Sequence, residues 1–588
     1  MGKRQQVQFQ NIADKLYNPA DKAVIKSLEF LVQDREFRVN FEEENLSTKK
    51  RRLQSMVRAL DISSISRDGY RHIAALEPQL LREHAVSDER QKINADMACA
   101  IPINLIDLEP NVQLDPSEGP DITDLEIIEQ MVKVIGKGAH RSVKKLLTYV
   151  VPAYIQKGNY KTMVKGIGKG AHHSRKITYL CCALQKGKLD PLSPIIHLRI
   201  SGDGRNVGRK VKHVMITVAF LDDSAELFKS HSHYTTVLFP GTEDYTTLRV
   251  AADAFIQELQ ELEKDGLFID GVWWKFDLYF SSDWKFLAIC LGFNAANSNH
   301  FCPWCTISKN QRGQRIEWTI SKSMNILNLN PIAYPGHNLP PLFGMIPLTN
   351  YVPDKLHIML RITDRLWELA LQEIKNEDLF NDITRNIIIK EMKKLKIRFE
   401  FWKIRDNGLW DYTSLMGDDK LRVLRYFDLS VLFASERATL IRRLWNGFAK
   451  LYDIMGSSTT DPRHFKAKAE EWRELFLKPT ELDPVTNEVI EEGLYRPADL
   501  TFYIHVLVSH VWEFINKHRE WGLDAFSCSG VEKKNYDHVC YFFSKSLKNG
   551  GHQKSAIREI LEYENRLLFY SLNNTSLTYP KPQTVQLL

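Results

Sequence analysis

The spacing of apolar residues predicts helices in the first hundred residues of the chain. In residues 49–62 and 87–101 apolar positions recur with the period of an α-helix, and a serine suited to capping a helix opens the segment between them. We therefore predict that residues 1–105 form a mostly helical N-terminal region. Such a region fits a DNA-binding helix-turn-helix, and it fits any other small helical bundle equally well.

The pattern changes to strands near residue 194. Residues 195–204, 210–223 and 233–241 are rich in β-branched and aromatic residues, and a helical segment at 243–266 separates them from a fourth strand at 271–283. The first two strands are close enough for a hairpin, whereas the fourth needs a crossover to pair in parallel. Three strands, a helix, a strand and a helix are the element order of a ribonuclease-H-like fold.

A long helix-rich region follows Cys305 and interrupts this core. The predicted fold class is therefore α+β, with a ribonuclease-H-like mixed-sheet core, a large helical insertion and a preceding helical region. The predicted boundaries are the first part of the core at 194–305, the insertion at 306–499, a segment that returns to the core at 500–550 and a C-terminal tail at 551–588.

Charge is distributed unevenly, although the net charge of +6 is small. Residues 106–130 are acidic and proline-containing, which predicts a linker. From Met131 to Lys176 there are eleven lysines and arginines and no aspartate or glutamate, a composition that favours binding to a polyanion. We therefore predict that residues 131–193 contact double-stranded DNA. The candidate contact residues are Lys133, Lys137, Arg141, Lys144, Lys145, Lys165, Lys169, Arg175 and Lys176.

A repeat lies inside this basic segment. MVKVIGKGAHRS at 131–142 returns 32 residues later as MVKGIGKGAHHS at 163–174. Each copy places a glycine-flanked lysine before a basic helix start, an arrangement that can offer backbone N–H groups and cations to phosphates. A duplicated surface element or a sequence-assembly artefact would give the same pattern.

Composition narrows the class of protein further. Eight cysteines are too few for a disulfide framework in a chain of this length, which favours a reducing, intracellular compartment. The N-terminus MGKRQQVQFQ is polar, and no run of about eighteen apolar residues occurs, so we expect neither a secretory signal nor a membrane span. The KKRR at 49–52 fits a nuclear import signal and, equally, a solvated helix start.

Three carboxylates are candidates for a catalytic metal site. Asp203 ends the first core strand, Asp283 ends the fourth, and Glu532 lies on a predicted helix further along the chain. Since the first and fourth strands of such a core run side by side, acids at their ends can meet. Carboxylates suit Mg²⁺ or Mn²⁺, and two such ions about 4 Å apart can activate a nucleophile and stabilise a leaving oxygen at a phosphodiester.

Each acid also has a simpler interpretation. Asp203 could belong to a glycine turn, Asp283 could cap a helix, and Glu532 could sit on a solvated face beside two lysines. Asp277, on the same strand as Asp283, competes for the role of second acid.

Cys302 and Cys305 have the spacing of half a zinc site, and His505 and His510 could supply the other half. Histidines five residues apart lie about 140° from each other on a straight helix, so joint ligation requires the helix to end or deform between them. A structural Zn²⁺ held in this way would fasten the start of the insertion to its end and return Glu532 to the two aspartates.

Other assignments are open for these positions. The CxxC could be a redox motif or a pair of unligated buried thiols, and His518 and His300 are alternatives to the two histidines. His357, three residues after Asp354, is either a core-facing helix histidine or a polar group near the active site.

The order and separation of these acids, cysteines and histidines resemble the catalytic region of the Transib-type transposases and the catalytic subunit of the vertebrate V(D)J recombinase. That family has an insertion-bearing ribonuclease-H-like core with Asp, Asp and Glu, and it binds zinc through two Cys after the second Asp and two His before the Glu. The resemblance covers roughly residues 195–550 and rests on spacing. The Asp354 and His357 pair is similar to a short motif of several related transposase groups.

The resemblance implies a DNA transposase or recombinase that acts in the nucleus, as a homodimer on double-stranded DNA. It implies nicking, hairpin formation and strand transfer with Mg²⁺ or Mn²⁺, and a structural Zn²⁺. Two other functions stay open: a domesticated DNA- or chromatin-binding protein without activity, and a metal-dependent nuclease without strand transfer.

Overall fold

The computed structural model describes most of the chain. The described residues are 27–32, 35–40, 46–63, 65–77, 80–108, 137–152, 194–207, 211–223, 226–404, 408–545, 555–573 and 575. The second copy of the repeat, most of the acidic linker and five predicted DNA contacts lie outside these ranges; the five are Lys133, Lys165, Lys169, Arg175 and Lys176. The chain divides into two compact units, Met1–Cys99 with Glu562–Leu588, and Ala100–Leu561.

The first unit combines a hairpin with helices. Strands β1 (Ser27–Val32) and β2 (Arg35–Asn40) pair antiparallel. Helices α1 (Leu46–Ile62), α2 (Arg67–Leu76) and α3 (Glu83–Ala100) follow. The helices at 49–62 and 87–101 are thus where the apolar period predicts them, whereas the hairpin was not predicted.

A buried ion pair lies within this first unit. Asp61 accepts hydrogen bonds from Arg566 Nε at 2.7 Å and from the Tyr570 hydroxyl at 2.7 Å, and Arg90 Nη2 lies 3.3 Å away. Burial disfavours the carboxylate, but Arg566 and Arg90 outweigh burial and lower the pKa of Asp61.

Within the described residues, the second unit is built on a seven-stranded mixed sheet in the order β3-β4-β7-β6-β5-β9-β8. Its strands are β3 (Ile103–Asp107), β4 (Lys137–Arg141), β5 (Ile195–Val207), β6 (Val211–Phe220), β7 (Tyr234–Pro240), β8 (Leu267–Ile269) and β9 (Val272–Phe280). All neighbours are antiparallel except β5 and β9, which are parallel. The predicted α+β class is confirmed, and β3 covers the first residues that were assigned to the linker.

Local sequence explains how the parallel pair forms. Residues 143–152 form helix α4 after β4, and helix α5 (Tyr245–Asp265) supplies the crossover between β7 and the β8–β9 hairpin. The side chain of Asp244 caps the start of α5, and Gly266 ends it with a φ of 71°, a left-handed conformation that glycine adopts without strain.

The region after β9 is mostly helical. Its helices are α6 (Trp284–Cys290), α7 (Met324–Leu329), α8 (Lys355–Asn376), α9 (Asp382–Lys394), α10 (Gly417–Tyr426), α11 (Ser435–Met455), α12 (Pro462–Phe476), α13 (Phe502–Ser509), α14 (Val511–Lys517) and α15 (Ser529–Lys545). Two small hairpins interrupt them, β10 (Phe401–Lys403) with β11 (Trp410–Tyr412) and β12 (Glu481–Leu482) with β13 (Val489–Glu491). A last helix spans Ala556–Leu572. Among the described helices, none has the length and apolar character needed to cross a lipid bilayer.

Candidate functional site

The parallel pairing of β5 with β9 brings Asp203 and Asp283 to one edge of the sheet. Ile200 is aligned with Phe280, and each aspartate lies three residues further along the chain. Asp203 is still within β5, where it pairs with Met215 of β6, so it belongs to a strand and not to a turn. Asp283 does cap a helix, because its Oδ1 accepts the Phe286 N–H of α6 at 2.8 Å.

The close approach of α6 to β5 depends on a glycine. A Cβ atom at Gly202 would lie 2.0 Å from Phe286 Cε1. Any larger residue would therefore displace α6, which Asp283 begins, from the strand that carries Asp203.

Glu532 approaches this edge from the first turn of α15. One turn further along, Asn535 Nδ2 donates a hydrogen bond to Asp203 Oδ2. Burial raises the pKa of Asp203 well above its usual value, and the carboxylates of Glu532, Asp283 and Glu243 raise it further. Burial likewise raises the pKa values of Asp283 and Glu532. The three predicted acids are thus close enough to oppose one another's ionisation.

Glu243 is a fourth acid at this edge, and the sequence did not single it out. Two antiparallel pairings separate β7 from β5, so β7 runs parallel to β5 and ends at the same edge. Glu243 follows the end of β7 by three residues, and its Oε2 lies 2.6 Å from Lys285 Nζ. The sequence contained the information needed to find Glu243. In three consecutive antiparallel strands the first and the third run in the same direction, so they end at the same edge of the sheet.

A buried aspartate–histidine pair faces the acids. Asp354 caps α8 by accepting the N–H groups of Leu356 at 3.0 Å and His357 at 3.2 Å, and it also bonds His357 Nδ1. His357 Nε2 lies 4.0 Å from Glu532 Oε1. Burial disfavours the imidazolium, but Asp354, and then Asp283 and Glu532, raise the pKa of His357 to about 9. His357 is therefore a fixed cation beside the acidic cluster.

Asp277, the competing acid, lies apart from this cluster. Its side chain points outward from β9 and is 54% exposed, and its Oδ2 is 3.8 Å from His197 Nε2.

The four predicted zinc ligands form one compact cluster. Cys302 Sγ lies 3.4 Å from His510 Nε2, and Cys305 Sγ lies 3.4 Å from His505 Nε2. All four ligand atoms are within 4.8 Å of one another. Tetrahedral zinc with ordinary Zn–S and Zn–N bonds places sulfur and nitrogen ligands about 3.5 Å apart. A Cys₂His₂ cluster that could hold a metal ion is therefore present.

A break between two helices lets both histidines reach this cluster. Helix α13 ends at Ser509 and α14 begins at Val511, so His510 lies at the junction, with φ −121° and ψ −27°. This is the helix end that joint ligation by His505 and His510 required.

Neighbouring polar groups orient these ligands. His510 Nδ1 is 3.0 Å from Glu513 Oε2, and His505 Nδ1 is 3.2 Å from Ser509 Oγ. Contacts of this kind fix which ring nitrogen faces a metal, and they are typical of metal-binding histidines. Burial disfavours the Cys302 thiolate, but the hydrogen bond from Cys305 and the nearby histidines outweigh burial and lower the pKa of Cys302. A stabilised thiolate is the form that binds zinc.

The predicted DNA contacts at 137–145 differ in their exposure to solvent and in the partners that they already have within the protein. The prediction for Arg141 is wrong: its side chain is 1% exposed and its Nε donates to the Thr235 carbonyl at 2.6 Å, so it supports the sheet from inside. Lys144 pairs with Glu261. Lys137 Nζ lies 3.3 Å from Asp107 Oδ1, and Lys145 is exposed.

Comparisons with known protein families and curated proteins do not assign this chain to a family. No protein-family model matches the chain, and a search of the curated proteins finds no significant relative.

Proposed function

We propose that this protein is a metal-dependent enzyme that acts on phosphodiester bonds of DNA, and more specifically a transposase-derived DNA recombinase. The observation that carries the proposal is the convergence of Asp203, Asp283 and Glu532 from a strand, a strand end and a helix that are far apart in sequence. Partly buried carboxylates that oppose one another's ionisation are unfavourable for stability but are good ligands for divalent cations.

The strand arrangement supports this assignment. In the order β7-β6-β5-β9 the first three strands are antiparallel and the fourth is parallel to β5. We interpret this part of the sheet as a ribonuclease-H-like core and the helices α7–α12 as its insertion. Asp203 within β5 and Asp283 just after β9 then have the positions that the resemblance to Transib-type transposases implies.

In the proposed site, Asp203, Asp283 and Glu532 would hold Mg²⁺ or Mn²⁺. When bound, such ions activate a water or a 3′-hydroxyl and stabilise the leaving oxygen. The protein's own part is to fix the ligands: Asn535 orients the Asp203 carboxylate, and the His357 cation limits the repulsion among the acids before any metal arrives.

The Cys₂His₂ cluster supports a structural role for Zn²⁺ in the same enzyme. Cys302 lies in the segment that follows α6, and His510 lies shortly before α15. Zinc at these four ligands would close the insertion at its base, where the chain returns from the insertion to α15. Four protein ligands leave no open position, which is typical of structural and not catalytic zinc.

The proposal includes double-stranded DNA as the substrate, a homodimer as the active form and the nucleus as the location. Among the predicted contact residues that the structure describes, Lys145 and Lys137 are the candidates for phosphate contacts. The homodimer and the nuclear location rest on the family resemblance.

The test is a nicking and strand-transfer assay on plasmid DNA with Mg²⁺ or Mn²⁺. Asp283→Asn and Glu532→Gln keep the shape of each side chain but remove the charge that holds a cation, so both should reduce activity to background. Asp277→Asn makes the same change on the same strand as the control, and it should keep wild-type activity because Asp277 faces solvent.

Each other outcome selects a different function. DNA binding without cleavage in the wild type, unaltered by either substitution, would favour a domesticated binding protein. Cleavage without joining would favour a nuclease. Activity that survives Asp283→Asn and Glu532→Gln would show that these carboxylates are not the catalytic ones.

A further inference from the structure

The short segment 524–528, which leads into α15, is bound by side chains from distant parts of the chain; we call it the docking loop. Arg199 of β5 donates through Nη1 to the carbonyls of Ala525 at 2.6 Å and Ser527 at 3.1 Å. Ser281 donates through Oγ to the Phe526 carbonyl at 2.8 Å. Three successive carbonyl groups of the docking loop are thus held by two side chains.

The next backbone group of the loop, the Cys528 N–H, is bound by a third side chain, that of Asp354 at the start of α8. Cys528 donates its N–H to Asp354 Oδ1 at 2.8 Å. The same carboxylate bonds His357, which faces Glu532. Asp354 therefore links the end of the docking loop to the cation beside the acidic cluster.

The three side chains that hold the loop lie next to the residues that carry the proposed site. Arg199 is four residues before Asp203 on β5, and Ser281 is two residues before Asp283. Glu532 donates its own backbone N–H to the Cys528 carbonyl at 2.9 Å, so the docking loop forms the start of the first turn of α15. A shift of the loop would move Glu532 relative to both aspartates.

The burial of the Arg199 guanidinium is unfavourable for the stability of the fold. It is fully buried, and its Nε and Nη2 atoms have no hydrogen-bond partner within the described part of the chain. A buried cation that lacks a full set of partners is usually less stabilising than an apolar residue of the same volume. Its Nη1 atom, however, holds two carbonyl groups of the docking loop, which an apolar residue could not do.

We propose that Arg199, Ser281 and Asp354 are positioning residues, which place Glu532 against Asp203 and Asp283 by holding the docking loop. This inference rests on the proposed function, because it assumes that the three acids bind divalent cations together. It assigns a task to the Asp354 and His357 pair, in which Asp354 acts through the backbone of the loop and not on the substrate.

The experiment measures Mn²⁺ binding to the full-length chain, supplied beforehand with one equivalent of Zn²⁺, by electron paramagnetic resonance. Ser281→Ala and Asp354→Asn should each weaken Mn²⁺ binding by about tenfold to a hundredfold, the range usual for residues that support metal ligands. The zinc content should stay unchanged, which shows that the chain remains folded around the Cys₂His₂ cluster.

Thr236→Val is the matched control. Thr236 is fully buried in the same sheet and donates one hydroxyl hydrogen bond to a carbonyl, that of Ile216 at 3.1 Å, as Ser281 does to the loop. Its loss should lower the melting temperature about as much as Ser281→Ala does, but leave Mn²⁺ binding at the wild-type value. A purely structural role for Ser281 would make the two variants alike in both measurements.

Asp203→Asn separates failure of this inference from failure of the proposed function. If Asp203→Asn abolishes Mn²⁺ binding while Ser281→Ala and Asp354→Asn bind as the wild type does, the acids bind metal but the docking loop does not position them. If Asp203→Asn binds Mn²⁺ as the wild type does, the acidic cluster is not a metal site, and both proposals are overturned.

Discussion

Replacing Cys302 with serine should remove the proposed zinc cross-link, which joins the chain before helix α7 to the chain after helix α12. The two contacts within the Cys₂His₂ cluster join residues 208 and 200 positions apart, Cys302 with His510 and Cys305 with His505. Serine has nearly the size of cysteine but is a poor zinc ligand, so Cys302→Ser should release the metal with little change in packing.

The size of the effect follows from the length of the closed loop. Closing a loop of about 200 residues lowers the entropy of the unfolded chain by an amount worth about 5 kcal/mol. The unit that contains the cluster, Ala100–Leu561, has roughly 460 residues, for which 1 kcal/mol changes the melting temperature by about 1 °C. We expect Cys302→Ser to lower the melting temperature by about 5 °C.

Calorimetry and elemental analysis together test this prediction. The purified wild type should carry one zinc per chain, and Cys302→Ser should carry none. Cys290→Ser is the control, because Cys290 is equally buried but lies outside the cluster, so it should keep the zinc. A wild type without zinc, or a Cys302→Ser variant that retains one equivalent, would refute the assignment of these ligands.

Two further predictions concern buried carboxylates with opposite pKa shifts. Folding raises the pKa of Asp203, so the ionisation of this carboxyl group destabilises the folded state. The destabilisation is absent below about pH 3.8, the usual pKa of an aspartate, and it increases as the pH rises towards the pKa of the folded state. Asp203→Asn should therefore raise the melting temperature of protein without Mg²⁺ at pH 8 but not at pH 3.5; a lower value at pH 8 would contradict this. The pKa of Asp61 is lowered, so its stabilisation is lost as the pH falls below about 3.8. Asp61→Asn should destabilise the first unit by about 3–5 kcal/mol at neutral pH, since it removes the carboxylate that neutralises the buried Arg566 guanidinium. Urea denaturation that gives the same loss for the exposed Asp68→Asn would contradict the argument.

Much of the candidate site was accessible from the sequence because it depends on local pattern and spacing. The concentration of β-branched and aromatic residues identified β5 and β9, and Asp203 and Asp283 are brought to one edge because the two strands pair in parallel. The geometry of a straight helix required a break between His505 and His510, and the chain has that break. These inferences use only the residue composition of the strands and the geometry of a helix, which each segment expresses by itself.

Other features were decided by tertiary structure. Composition marked Arg141 as a cation for DNA, but its strand lies inside the sheet, and the burial of a charge depends on which strands pair around it. Glu243 joins the acids only because two antiparallel pairings set the direction of β7.

The helix that carries Glu532 shows most clearly which features come from the local sequence and which come from tertiary structure. The sequence placed Glu532 on a helix, but the hydrogen bonds that fix the start of that helix come from Arg199, Ser281 and Asp354, which are 326, 245 and 174 residues away from their partners. Contacts over such separations exist only after the sheet and the insertion have packed, because no local period encodes them. The sequence by itself therefore determined which residues could carry the chemistry, and the packing of distant segments decided which of them lie together.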